Sequence, residues 1–323
     1  MGAQPFLRAF AGAFTLGIAA TAFAGQGAAS GWGPREGRAE EADWRARIGT
    51  FRVGLVARGG ARDTVLRTRS FAEALEKALG VPVEIFAAAD LRALVDAQLA
   101  GRVDYAVLPA TAYAAAWVAC RCVEPVALPR AADGSAGFRI ALFARADGPA
   151  SVAALSGRTL LVDDAKGFAL TFARHELSAR GLDLGALTLI EANDPASAAR
   201  RFAGGEGDLL LGWTRAGADA AGSGTRRLLR EAGLGDLRTV WRSGEVPHGP
   251  HVVRLGLSRQ AKDLLRATLR DLNRNEPRAY DAIEPDHAGG FAPADRAAFR
   301  SLVDLVTASS GGAGAGAAPP RAD

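Results

Sequence analysis

The order strand–helix–strand–helix–strand occurs twice in this chain, and that repetition limits the folds open to it. In the first copy Phe51–Val56 alternates like a strand. Val65–Leu79 then places Phe71, Leu75 and Leu79 on one helical face before Gly80, and Val81–Phe86 is the next strand. Asp90 is placed to cap a helix carrying Leu91, Leu94, Val95 and Leu99, which stops at Gly101; Asp104–Leu108 is the third strand. The second copy spans 150–215, with strands at 160–162, 187–191 and 207–213 and a helix started by Asp194-Pro195. Strands joined through helices pair in parallel and need cover on both faces, so the expected class is α/β, with two similar three-layer lobes. Residues 99–108 and 202–211 also match in kind: helix end, Gly, Asp, buried strand. That grammar is common enough to arise by chance, but two lobes of one architecture are the simpler account.

A chain of 323 residues, 49% hydrophobic, is long enough for two such lobes. Its net charge of +4 is scattered among acids, which excludes a nucleic-acid footprint. At the N-terminus Arg8 precedes an apolar run, Ala9–Ala24, that ends in Ala22-Phe23-Ala24, the small-x-small pattern read by signal peptidase. Residues 1–24 are therefore expected to be a cleavable export signal, with an uncleaved anchor as the alternative. Residues 25–48 have no periodicity and are expected to be a linker; 308–323, rich in Gly, Ala and Pro, a disordered tail. Residues 114–136 read as irregular or weakly helical. Within them stand the two cysteines, Cys120 and Cys122, which form either a bridge, as export allows, or two unpaired thiols.

The turn at the head of the second copy is the first candidate site. Leu160–Val162 is a continuous apolar strand, Asp163–Gly167 a tight polar turn, and Phe168–Leu177 a helix. A strand that turns directly into a helix aims backbone N–H groups and the positive end of the helix dipole at the space above it. Lys166 adds a full charge, so the turn is a candidate anion cradle; an ordinary connection is the alternative. Asp163 and Asp164 act against an anion there. Further candidates sit at strand ends: Arg58 after the first strand, Thr111 and Tyr113 after the third, and Arg139 on the long strand 137–145. Arg is the usual fork for oxyanions, although in an Arg-rich chain Arg58 and Arg139 read equally well as surface. Trp213 ends a second-copy strand, where ligands bind in open α/β sheets, and core packing is its other reading. His248 and His251 flank Gly249-Pro250; a metal there needs a third ligand that the sequence does not identify. There is no nucleophile elbow, phosphate loop or paired-cysteine framework, so no catalytic residue, metal or cofactor is expected and the chain is not read as an enzyme.

Several segments, in order, resemble one family. They are Phe51–Val56, Gly101–Leu108 followed by Tyr113, Asp133-Gly134-Ser135 with Gly137-Phe138-Arg139, Val246–Pro250, His251–Arg254, and Gly290–Asp295. Over residues 50–307 the chain is similar to the phosphate/phosphite/phosphonate-binding periplasmic proteins of ABC transporters, a type II solute-binding fold. The resemblance implies two lobes, 49–143 with 243–307 and 144–242, joined by two crossing strands and closing on a small anion by a hinge motion. It implies a periplasmic, monomeric binding protein that hands its ligand to a membrane permease. It also implies that a Ser/Thr-rich turn, a Tyr after the third strand and an Asp in the return crossing face the ligand. Here the turn is Asp164-Ala165-Lys166-Gly167, the crossing has Gly249 in place of the Asp, and Tyr113 is retained. The expected ligand-binding residues are thus Lys166, Gly167, Tyr113, Thr111, Arg139, Trp213, His248 and Arg58. The expected ligand is a phosphonate-like, carboxylate or sulfur oxyanion. Two other roles fit the same chain: a ligand sensor feeding a histidine kinase, and an enzyme for a small phosphorylated or sulfur compound.

Overall fold

The computed structural model describes residues 44–217 and 223–314. The expected export signal, residues 25–43 of the expected linker and residues 315–323 of the expected tail lie outside the described residues. Two boundaries move. Residues 44–48 form a helical turn whose Trp44 is buried in the core beside Phe71 and Leu79, so they are not linker. Residues 308–314 continue the last helix rather than starting a tail.

The first run of elements is β1 (Phe51–Val56), α1 (Ala61–Arg67), α2 (Arg69–Leu79), β2 (Val83–Ala88), α3 (Leu91–Leu99), β3 (Tyr105–Val107), α4 (Ala110–Cys120) and β4 (Val123–Pro129). The second is β5 (Gly137–Arg145), β6 (Thr159–Val162), α5 (Phe168–Ser178), β7 (Thr188–Glu191), α6 (Pro195–Ala203), β8 (Leu209–Arg215), α7 (Gly224–Glu231), β9 (Leu237–Arg242) and β10 (Val246–Pro247). The chain ends with β11 (His251–Arg254), α8 (Arg259–Asn275), α9 (Pro277–Ile283), β12 (Phe291–Pro293) and α10 (Arg300–Gly314). Among the described residues no helix is long and apolar enough to cross a membrane.

These strands form two sheets, β12-β4-β11-β3-β1-β2 and β10-β5-β8-β6-β7, with β9 also paired to β5. In both, the opening strand lies between the second and third strands of its copy and is parallel to each. The match between residues 99–108 and 202–211 is structural as well as literal. Asp104 N–H donates to Arg52 O and the Asp104 carboxylate accepts from Arg52 N–H at 2.9 Å. Asp208 N–H donates to Thr159 O and its carboxylate accepts from Thr159 N–H at 2.8 Å. One Asp per lobe thus fixes the third strand to the start of the opening strand, which is why both copies keep an Asp after the glycine turn.

Both sheets are covered on two faces. Leu160 and Val162 pack in one cluster with Leu170 and Phe172, while Leu161, on the other face, packs with Phe143, Phe202 and Leu229. In the first lobe Phe51 and Val53 pack with Phe71, Leu75 and Leu265 on one side; Leu108, Leu94 and Tyr113 pack on the other. Residues 114–136, expected to be irregular or weakly helical, hold most of α4, all of β4 and then the first crossing, so the strand is what the expectation lacked. The helix is Ala-rich without a polar stripe, and β4 carries Pro125 and Pro129, so neither shows the period that marks its type. Cys120 and Cys122 form a disulfide at the end of α4, with Arg121 between them in the left-handed region at φ 50°.

The passages between the sheets position the site. β4 belongs to the first sheet and β5 to the second, so the first crossing is 130–136, upstream of the expected lobe boundary at 143. β10 pairs with β5 and β11 with β3 and β4, so the return crossing is 248–250. Pro129 and His251 lie at the carboxyl edge of β1 and β3, given the antiparallel pairing of β11 to β3 and β4. Gly137 and Pro247 lie at the carboxyl edge of β6 and β8, because β5 runs antiparallel to β8. Both crossings therefore connect one carboxyl edge to the other, and the two edges face across them.

Candidate functional site: the facing strand edges

The first-sheet edge holds a cavity of about 380 Å³, a usual size for a small-molecule site. Arg58, Thr64, Pro109, Gly249, Glu284 and His287 are among its lining residues. Arg58 follows β1, and among the described residues no carboxylate pairs with its guanidinium. Arg67 also lines the cavity but is engaged: Nε donates to Asp63 at 2.9 Å and Nη2 to Arg58 O at 3.1 Å. Thr64 is 2% exposed, and its Oγ1 is buried without a hydrogen-bond partner.

Beneath this cavity three of the four histidines gather around one carboxylate. His251 Nε2 meets Glu284 Oε1 at 2.6 Å, and His287 Nδ1 meets Glu284 Oε2 at 2.8 Å. The Tyr105 hydroxyl bonds His251 Nδ1. A carboxylate only accepts, so His251 carries its proton on Nε2 and Tyr105 donates to Nδ1. Burial, reinforced by the charge of Glu284, keeps the Tyr105 hydroxyl protonated, its pKa raised well above the usual value. Burial would raise the Glu284 pKa, but the bonds and charges of His251 and His287 hold it at about 2. The third ligand sought for His248 and His251 thus exists as a hydrogen-bond acceptor. Among the described residues no group of His, Cys, Asp and Glu has the arrangement of a metal site. His248 is part of the return crossing. Its Nδ1 donates to Pro129 O at 2.9 Å and its ring lies 4.5 Å from that of His287; its pKa is lowered, chiefly by burial.

On the second-sheet edge, the N–H groups of the turn itself are already committed, whereas the first turn of α5 has no side-chain cap on its N–H groups. Ala165 N–H donates to Glu191 Oε1 at 3.0 Å, Lys166 N–H to Asp164 Oδ1 at 2.8 Å, and Gly167 N–H to Asp164 O at 3.2 Å. Gly167 caps α5 and lies so close to Asp164 that an added Cβ would meet its carboxyl at 3.0 Å. The Lys166 side chain is exposed, and no carboxylate partner for it occurs among the described residues. Trp213 stands on β8, 38% exposed, edge-on to Phe138 at 6.3 Å. Arg139 is engaged locally, donating to Ser243 O at 3.3 Å and pairing with Glu245 at 3.6 Å. Beside the first crossing, Arg215 at the end of β8 pairs with Asp133 at 3.5 Å. Burial alone would raise the Asp133 pKa; bonds from Ser135 and the charge of Arg215 lower it instead. Residues 218–222, which follow this edge, lie outside the described residues.

The topology thus brings Arg58, Thr111, Arg139, Lys166, Gly167, Trp213 and His248 to the facing edges, but only Arg58 of these lines the cavity. Tyr113 is a correction. It lies in α4, fully buried against Phe299 with ring centroids 4.6 Å apart, and its hydroxyl has no partner. Burial drives its pKa to about 12. Thr111, two residues earlier and about half a turn round the helix, is exposed. The bonding of Glu284 to His251 and His287 was not anticipated, because Glu284 and His287 lie far from His251 in sequence.

The sequence pattern of the family described as "ABC transporter, phosphonate, periplasmic substrate-binding protein" matches residues 53–299. The chain belongs to this family. No curated protein matches it. Among solved structures, XAC2383 from Xanthomonas citri bound to ATP is similar at 20% identity, with 81% of this chain and 97% of that chain covered and a TM-score of 0.54. The same protein bound to chloride ion gives 20% identity, coverage of 81% and 98%, and a TM-score of 0.51. A phosphonate-transporter binding protein from Pseudomonas aeruginosa, PA3383, gives 19% identity, 84% and 90% coverage, and a TM-score of 0.45. The XAC2383 likeness, at this identity, is one of fold. As a member of the phosphonate-binding family the chain is a transporter-type periplasmic binding protein, and the family's Asp in the return crossing is excluded here by geometry. A Cβ at Gly249 would lie 2.5 Å from Leu108 O, so only glycine fits this backbone approach.

Proposed function

We propose that this chain is an exported solute-binding protein that captures a small oxyanion between its two lobes and delivers it to an ABC permease. The observation that carries this reading is a pair of cations on facing edges, Arg58 on the first and Lys166 on the second, neither of which has a carboxylate partner among the described residues. Closure about the crossings 130–136 and 248–250 would bring both to one ligand and exclude water, which strengthens charge-assisted bonds. The lobes in this reading are the two sheets with their helices, changing over within the crossings. The apolar run before Ala22-Phe23-Ala24 supports a cleaved signal and a periplasmic site of action. The expected ligands are phosphonate, sulfonate or carboxylate head groups, and the protein binds them as a monomer without turnover.

The test is a thermal-shift panel of inorganic phosphate, methylphosphonate, methanesulfonate and acetate on the mature chain, followed by calorimetry. At least one anion should raise the melting temperature. Lys166→Ala should then weaken that anion by about 1.5–3 kcal/mol, the worth of a charge-assisted bond. Stabilisation by none of the panel would sink the reading.

A further inference from the structure

The chain's one disulfide stands on the edge of the first sheet opposite the crossings, and the transport reading makes no use of it. We propose that Cys120–Cys122 is a thiol–disulfide exchange site, where a small thiol bearing carboxylates attacks Cys122 and Cys120 is the leaving sulfur. This is independent of the anion-binding reading.

Position comes first. β3 and β4 both pair antiparallel with β11, so they are parallel to each other. The disulfide just before β4 therefore lies at the amino edge of the sheet, away from Pro129 and the crossings. Cys120 and Arg121 are exposed there. Exposed disulfides exchange more readily than buried structural ones, because a thiolate must reach a sulfur. Among the described residues Arg121 is also the only non-glycine residue at positive φ, a conformation that a side chain disfavours.

A cavity of about 360 Å³ adjoins the bridge, lined by Cys122 but not Cys120, together with Arg121, Arg254, Leu99 and Leu255. No carboxylate lines it. Arg254 gives its Nε to Asp104 at 2.6 Å, while Arg121 forms no ion pair among the described residues. Two guanidiniums against one carboxylate leave the cavity positive. That charge attracts an anionic thiol and favours its thiolate, which is the nucleophile. The leaving sulfur is served in both protonation states. Cys122 N–H donates to Cys120 Sγ at 3.0 Å, as a released thiolate requires. Cys120 Sγ also lies 3.3 Å from Ala116 O, an acceptor for the S–H that forms on protonation.

In the first step the thiolate's electron pair makes a bond to Cys122 Sγ. The pair of the Cys120–Cys122 bond passes to Cys120 Sγ, which takes a proton from water. A second molecule of the thiol then attacks the small-molecule sulfur of the mixed disulfide, and Cys122 leaves. The small thiol is oxidised to its disulfide by two electrons, and the protein is reduced to its dithiol by the same two.

The test uses the folded, oxidised chain with reduced glutathione as the probe, quenched in acid and mapped by peptide mass spectrometry. Glutathione should be found on Cys122, with Cys120 open to alkylation. For the reverse step, Cys120→Ser should take up glutathione from oxidised glutathione faster than Cys122→Ser does. Arg121→Gln should slow reduction by glutathione about threefold, the worth of an exposed charge pair, and leave the rate with uncharged 2-mercaptoethanol unchanged. The neutral thiol separates lost charge from altered structure. A bridge that resists both thiols until the chain is unfolded in urea overturns the site. Glutathione captured on Cys120 overturns the assignment of the attacked sulfur, and equal slowing of both thiols by Arg121→Gln overturns the role of the cavity.

Discussion

Replacing Glu284 by Gln tests the best-connected polar group in the molecule. Its carboxyl is 7% exposed and titrates at about 2, against an ordinary 4.5. Burial opposes that direction, so His251 and His287 must more than offset it. The gap between about 2 and 4.5 is worth about 3 kcal/mol, at about 1.4 kcal/mol for each tenfold change in proton affinity. The folded-state value lies below the unfolded one. This contribution is therefore fully present above about pH 4.5 and is lost as the pH falls through about 2. Gln keeps the volume but sets an NH2 against one of two histidine N–H groups, so one bond is replaced by opposed donors. Urea unfolding at about pH 7 should show Glu284→Gln about 3 kcal/mol less stable than wild type. Repeated at falling pH, the difference should hold to about pH 5 and narrow steadily below about 4.5. A difference under about 1 kcal/mol near neutrality, or one that does not narrow in acid, would refute the claim that the histidine pair holds this charge.

Two further outcomes follow from packing. Gly249→Ala forces a Cβ to within 2.5 Å of Leu108 O, backbone against backbone in the return crossing. It should cost about 1–3 kcal/mol of overpacking, read as a lower melting temperature, and an unchanged melt would mean that the crossing is looser than described. Tyr113→Phe deletes a buried hydroxyl without a partner. Stability should be unchanged or rise by up to about 1 kcal/mol with anion affinity untouched; weakened binding would return Tyr113 to the site.

The lobes were legible because the central strands β1, β3, β5, β6 and β8 are mostly buried and several helices carry their own punctuation. Asp90 accepts from Ala93 N–H at 2.7 Å and Asp194 from Ser197 N–H at 2.8 Å, so the capping residues read from the sequence do cap. β4 was not legible, because Pro125 and Pro129 argue against a strand and its pairing with β11 is set by residues more than a hundred positions away. The sites show the same division. Local order placed Lys166, Arg58 and Trp213 at strand ends, and they are there. It could not show that Asp164 and Glu191 fill the turn, because Glu191 comes from the neighbouring strand β7 through the pairing of Val162 with Glu191. Nor could it join His251 to Glu284 and His287, which meet only when α9 packs beneath the edge of β11 and β3.

That division bears on how a ligand would be gripped. For an oxyanion to use Ala165 N–H it must displace the Glu191 carboxylate, and for Lys166 N–H it must displace Asp164. Each displacement breaks a charge-assisted bond worth about 1.5–3 kcal/mol and leaves a like charge close by. The Arg58 guanidinium and the Lys166 ammonium make no such demand, since among the described residues neither has a carboxylate to give up. A ligand should therefore be met on the first lobe by Arg58, and on the second by the Lys166 side chain and the uncapped first turn of α5 rather than by the N–H groups of the turn itself. On this account the carboxylates that occupy the turn set its shape, and Lys166, a long side chain with no competing carboxylate, supplies the second lobe's charge. Lys166→Ala should then slow or abolish closure while leaving first-lobe contact in place, whereas Arg58→Ala should weaken that contact itself.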